Sequence, residues 1–259
     1  MKQSLKELIA SDDLILGTWS QIAAPEMIDL IGLNGFSFAI IDCEHGFFGM
    51  ETAENLARAC AANDIAAAVR VPVNDPVVIM KALDAGVRHV VVPNVSTHEA
   101  AETAVAAARF GPHGLRGACP CCRSGGHFIR DWQSYVAAEE SRTGIIALVE
   151  TLEGYKNFSE IAEVSDLAAF MFGPFDLSVS MGLNGDWRNP SVLDAVREMV
   201  AHAVDKGHRV MMPVFSPDPG ECRELIADWR ERGVDTFVIG SDKIIVANAF
   251  SQWVDALQS

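Results

Sequence analysis

Eight short apolar runs, each followed by a stretch of helical character, divide this chain from end to end and leave few folds open to it. The runs are Leu14–Ser20, Phe36–Asp42, Ala66–Val71, His89–Pro93, Ile145–Glu150, Leu167–Gly173, Arg209–Val214 and Thr236–Gly240. They are near-continuously apolar rather than alternating, as parallel strands covered on both faces should be. Helices are predicted from Pro25, over Glu51–Ala62, from Pro76 to a stop at Gly86, and over Thr97–Phe110. Others are predicted around Trp132–Glu140, over Val192–Lys206 and from Ser241 onward. Alternation of this kind implies right-handed βαβ units. An open sheet of the dinucleotide-binding type should carry a glycine-rich turn after its first strand, and the turn here is TWSQIAAPE. Eight units in 259 residues therefore predict an α/β fold of one domain, a closed (β/α)₈ TIM barrel over residues 1–259.

The formal net charge is −15, which repels phosphate backbones and anionic lipid, so neither nucleic acid nor membrane is expected as a partner. The amino-terminal MKQSLKELIASDD has no apolar h-region, and no apolar run approaches the roughly 20 residues that span a bilayer. A cytoplasmic protein is expected. An anionic small substrate then needs a local island of positive charge. Six cysteines include the crowded run Cys119, Cys121 and Cys122. A structural zinc site shows two separated ligand pairs, so reduced thiols in a loop are the expectation.

In barrels of this kind, chemistry sits at the C-terminal ends of the strands. The first strand ends near Trp19 and the second in Asp42, with Glu44 and His45 just beyond. The third carries Arg70, the fifth ends in Glu150, and the sixth runs into Gly173-Pro174-Phe175-Asp176. Glu150 and Asp176 come from adjacent strands, and two hard oxygen ligands without Cys or His suit Mg²⁺ or Mn²⁺. A 2-oxo acid can add two more oxygens. For Asp176, capping of the following helix is the plainer reading. Arg70 can pair with a carboxylate such as Asp42 or contact a developing oxyanion, and the sequence leaves both open. His45, three residues after Asp42, reads as an imidazole oriented by that carboxylate. No lysine lies inside a proposed strand, which argues against Schiff-base chemistry.

The chain resembles the HpcH/HpaI family of class II pyruvate aldolases from Gly17 to the C-terminal helix. The motifs that carry the resemblance are IDCEHG around Asp42–Gly46, VRVPVNDP at Val69–Pro76, LDAG at Leu83–Gly86, LRG at Leu115–Gly117, VET at Val149–Thr151 and GPFDLS at Gly173–Ser178. The resemblance implies reversible cleavage of a 4-hydroxy-2-oxo acid to pyruvate, or a related 2-oxo acid, and an aldehyde. It implies a divalent metal (Mg²⁺ or Mn²⁺, with Co²⁺ a third candidate) on Glu150 and Asp176. Arg70 matches the residue on the keto or enolate oxygen, and His45 the proton-transfer imidazole, with Asp42 and Asp84 its carboxylate partners. Gly173, Pro174 and the Phe175 and Asp176 amides match the pyruvate carboxylate pocket, and Trp19 an aromatic on the acceptor side. A homo-oligomer, hexamer or trimer, is implied, with the helix around Ile244–Leu257 exchanged between subunits. Three departures stand out. Leu148 replaces a frequent Gln, Phe175 replaces a small residue, and ACPCCRSGGHF is expected near the acceptor entrance. The same barrel also suits a CoA-ester lyase, an enolate-forming decarboxylase or a non-catalytic 2-oxo-acid-binding protein.

Overall fold

The computed structural model describes residues 5–11 and 13–258, so Lys2 and the start of the segment read for a leader lie outside it. Eight parallel strands close in sequence order into a barrel. They are β1 (Ile15–Ser20), β2 (Phe38–Asp42), β3 (Ala66–Arg70), β4 (His89–Val92), β5 (Gly144–Val149), β6 (Leu167–Phe172), β7 (Val210–Val214) and β8 (Thr236–Ser241). Each falls within two residues of its expected run. Around them lie α2 (Pro25–Leu33), α3 (Met50–Ala62), α4 (Pro76–Asp84), α5 (His98–Ala108) and α6 (Trp132–Arg142). The ring continues through the short α7 (Leu152–Lys156), α8 (Phe158–Ile161) and α9 (Pro174–Ser180), then α10 (Pro190–Asp205) and α11 (Pro219–Arg230). A first helix, α1 (Leu5–Ala10), precedes the barrel and α12 (Asp242–Gln258) follows it. Helices α1, α7 and α8 were not expected, because runs of four to six residues carry too little periodicity to be seen, and the 12-residue α11 was not named either.

Helix starts follow local chemistry. Asp75, Asn189 and Asp218 each cap the first turn through a side-chain oxygen, and each is followed by a proline whose fixed φ suits the first helical position. Along each strand, alternate residues enter the barrel. Phe38 and Ile40 join Ala68, Val91, Ile146, Met171 and Val238 inside it, while Ala39 and Ile41 pack outward against helices. Gly17 on β1 has no room for a methyl group, since the Phe38 ring lies 2.2 Å from where its Cβ would be. The bottom of the barrel is closed by Leu5 and Ile9 of α1.

His89 opens β4 at that closed end, fully buried, with no hydrogen-bond partner for either ring nitrogen among the described residues. Burial, with the charges of Lys6 and Arg88 adding to it, lowers its pKa to about 3. The unfolded chain binds this proton near pH 6.5 and the folded one does not, so stability falls as pH drops from 6.5 toward 3. The slope is at most about 1.4 kcal/mol per pH unit. Urea unfolding of His89→Leu is expected to show a flatter acid limb than the parent. Parallel limbs over that window would remove His89 from the acid response.

Candidate active site

The strand ends build a cluster at the open mouth of the barrel. Asp42 and Arg70 are register partners on β2 and β3, so their inward side chains lie side by side. Arg70 Nε donates to Asp42 Oδ1 at 2.8 Å and Nη2 to Oδ2 at 2.6 Å, a two-point clamp between a carboxylate that is 0% exposed and a guanidinium that is 9% exposed. Gln21 Nε2 donates to Asp42 Oδ2 at 2.8 Å, and the main-chain N–H groups of Glu44 and His45 donate to Oδ1. Burial works to raise the Asp42 pKa, but the hydrogen bonds and charge of Arg70, with Gln21 and the His45 amide, hold it below the ordinary value. Arg70 Nη1 lies 3.1 Å from Glu44 Oε2, and the guanidinium stands 4.3 Å over the Trp19 ring. Planar and held on one edge, it presents its remaining N–H groups to the mouth.

The carboxylate attributed to the His45 imidazole thus does something else. Asp42 binds Arg70 and the His45 main chain, while the ring itself is exposed and faces the same cavity as Arg70. Asp84, the other expected partner, does not reach His45 within one chain. Helix α4 runs back down the barrel wall, which carries Asp84 to the closed end, where its Oδ1 accepts from Arg116 Nη2 at 2.9 Å. Arg116 also faces Glu139 there and stacks over Phe110. The Cys119–Cys122 loop lies at the same end. Arg123 Nη1 donates to the Ala85 carbonyl, in the turn that leads into β4. Within one chain this loop is therefore remote from the mouth, not beside an entrance. Its Cys119 and Cys121 are exposed free thiols, and Cys122 Sγ donates to the Cys119 carbonyl.

Glu150 follows β5 and is 4% exposed. Its Oε1 accepts from the Asn94 N–H at 3.0 Å, and Asn94 holds a φ of 55° that few residues other than glycine adopt. Burial pushes the Glu150 pKa up to about 7; the Asn94 hydrogen bond opposes this, while Asp176 and Glu44 add to it. Asp176 sits in the exposed first turn of α9, which no side chain caps, so the Phe175 and Asp176 amides remain for a ligand. Gly173 must be glycine, because a Cβ there would come within 2.7 Å of Glu150 Cβ and Oε2. Gly173→Ala is expected to displace the Glu150 carboxylate and, if Glu150 is a metal ligand, to weaken Mn²⁺ binding about 10- to 100-fold, the scale at which metal-site support residues act. Calorimetric titration with Mn²⁺ checks this, and unaltered affinity would show that the carboxylate has room to move.

These residues fit a hard divalent cation. A buried carboxylate kept near two others is costly unless a positive charge joins them. Among the described residues no three His, Cys, Asp or Glu side chains converge on one point, so Glu150 and Asp176 would leave the other coordination positions to water and substrate. Sequence reasoning missed Gln21, the Asn94 amide and Asp242. The buried Asp242 accepts from the Gln21 and Ile22 amides at 2.9–3.0 Å and so locks the turn after β1 to β8. An acidic residue immediately after an apolar strand was the available signal.

A closed parallel barrel with an arginine clamp and two carboxylates at its mouth defines the class of protein. The sequence profile of the HpcH/HpaI aldolase/citrate lyase family matches residues 16–242, and the chain belongs to that family. A 5-keto-4-deoxy-D-glucarate aldolase of Klebsiella pneumoniae is 29% identical over 253 residues, which cover 98% of this chain and 96% of that one. Among solved structures, an HpcH/HpaI aldolase/citrate lyase family protein of Burkholderia cenocepacia superposes with a TM-score of 0.90 at 27% identity, over 98% of this chain and 99% of that one. The citrate synthase SbnG does so with a TM-score of 0.88 at 29% identity, over 98% and 97% of the two chains. No helix among the described residues is long and apolar enough to cross a membrane.

Proposed function

We propose that this chain is a metal-dependent pyruvate aldolase that reversibly cleaves a 4-hydroxy-2-oxo acid to pyruvate and an aldehyde. The observation that carries the reading is the pairing of a buried, charge-crowded Glu150 with the clamped Arg70 in one cavity. The aldolase named among the relatives agrees with it. Glu150 and Asp176 would hold Mg²⁺ or Mn²⁺, which when bound supplies Lewis-acid polarisation of the 2-oxo acid.

The chain's own groups do the rest. The Phe175 and Asp176 amides receive the substrate carboxylate. Arg70 donates to the keto oxygen, and its hold strengthens as that oxygen gains negative charge. His45 takes the 4-hydroxyl proton in cleavage and returns it in synthesis. The C3–C4 bond then breaks, its electron pair passes into the enolate, and protonation of C3 gives pyruvate. Trp19 closes the site beneath Arg70 and keeps water from the guanidinium.

Two further parts of the reading concern assembly. The chain forms a homo-oligomer, and α12 packs on a neighbouring copy. The support is that α12 leaves Phe250, Trp253 and Leu257 69–78% exposed and buries only Asp242.

Deuterium exchange into the pyruvate methyl group, followed by NMR, tests the chemistry without a guess at the aldehyde. Exchange that needs Mn²⁺ or Mg²⁺, stops with EDTA and is lost in Glu150→Ala is expected. Exchange that persists in Glu150→Ala, or is absent with every divalent metal, overturns the reading.

A further inference from the structure

The cavity that begins at Glu150 and Arg70 continues well past the groups that a 2-oxo acid needs. It encloses about 940 Å³, near the upper end of the range for small-molecule pockets. Beyond Phe175 it runs between α10 and α11 beside β7, where Trp187, Leu193, Phe215, Leu225 and Trp229 form its wall. Lys243, after β8, reaches the cavity near its mouth; in the part between α10 and α11 the charges are paired with protein groups, although Arg197 Nε has no hydrogen-bond partner among the described residues. Arg188 lies 4.6 Å from the Trp187 ring centroid and pairs with Glu221. Arg197 pairs with Asp194 at 3.2 Å, and Asp228 with Arg232 at 3.0 Å. Hydroxyl groups placed against Leu193, Phe215, Leu225 and the ring faces of Trp187 and Trp229 give up water for side chains that offer them few partners, which is costly. Hydrocarbon placed there leaves water at no such cost.

We infer that this annex holds the substituent of the aldehyde, and that the aldehyde carries an aromatic ring or a long alkyl chain rather than a string of hydroxyls. The inference rests on the pyruvate aldolase reading and names its acceptor class. In synthesis the pyruvate methyl group gives up a proton and its C3 forms a bond to the aldehyde carbon. The aldehyde oxygen takes up a proton and becomes the 4-hydroxyl. The new C4 keeps the aldehyde's substituent, and the annex is the space continuous with the reacting centre that can receive it. Leu225 and Trp187, both half-buried on its wall, are then specificity-determining residues.

The test offers the Mn²⁺-loaded protein pyruvate with phenylacetaldehyde, hexanal or glyceraldehyde and compares kcat/KM. Phenylacetaldehyde and hexanal are expected to exceed glyceraldehyde by at least about 10-fold, the scale of discrimination in apolar pockets. Leu225→Asp is expected to lower the phenylacetaldehyde-to-glyceraldehyde ratio about 10-fold. Trp187→Ala gives the same readout without introducing a charge, should Leu225→Asp fail to fold. Equal use of the three aldehydes, preference for glyceraldehyde, or a ratio unmoved by the substitutions overturns the annex assignment alone, provided pyruvate still exchanges deuterium. Absence of that exchange in the unaltered protein overturns the aldolase reading itself.

Discussion

Arg70→Ala is expected to slow aldol cleavage by on the order of 10²–10³, the cost of removing one donor from a developing oxyanion. It is also expected to destabilise the fold by roughly 3–5 kcal/mol, because it strands the fully buried Asp42 carboxylate. The two effects are separable. Arg70→Ala combined with Asp42→Ala removes both charges, so stability should recover while the rate stays low. Turnover and urea unfolding measured on the single and double variants decide the matter. Near-normal turnover in Arg70→Ala would assign the arginine to structure alone. A double variant as unstable as the single one would show that the clamp, rather than the stranded charge, holds the mouth together.

Phe250→Glu together with Trp253→Glu is expected to reduce the assembly to single chains. On α12 these side chains stand 69% and 71% exposed, beside Leu257 at 78%. If they anchor on a neighbour, two buried aromatic residues at about 2 kcal/mol each place the change in dissociation constant on the order of 10³. Light scattering at micromolar concentration reads this directly. An unchanged molar mass would mean that the helix faces solvent in the assembly as it does in one chain, and helix exchange would fall.

Strand positions were legible because a buried parallel strand leaves a short apolar run that nothing else in this chain imitates. Even β3, which is mostly alanine, declared itself through Arg70 at its end. The residues of the mouth could be nominated for the same reason, as charges terminating apolar runs. Their pairings could not. Whether Arg70 met Asp42 or a ligand depended on register, and only the alignment of β2 with β3 brings the two into contact. Within one chain Asp84 does not join His45, because sequence distance says nothing about which end of a helix a residue occupies. It lies 14 residues from Arg70 and yet at the opposite end of the barrel, bound to Arg116. The cysteine-rich loop stands at the same end of its own barrel for the same reason. Main-chain ligands such as the Asn94 N–H leave little trace, since a left-handed turn can be made by several residues.

The clamp stands on β2 and β3, whereas the annex is walled by segments that follow β6 and β7, four strands away around the ring. Among the described residues, no hydrogen bond or ion pair joins Asp42 or Arg70 to Trp187, Phe215 or Leu225. Inheritance can therefore treat them as separate characters. A lineage is free to trade one acceptor for another through changes at Trp187, Phe215 or Leu225, while the Asp42–Arg70 clamp passes unchanged from parent to descendant.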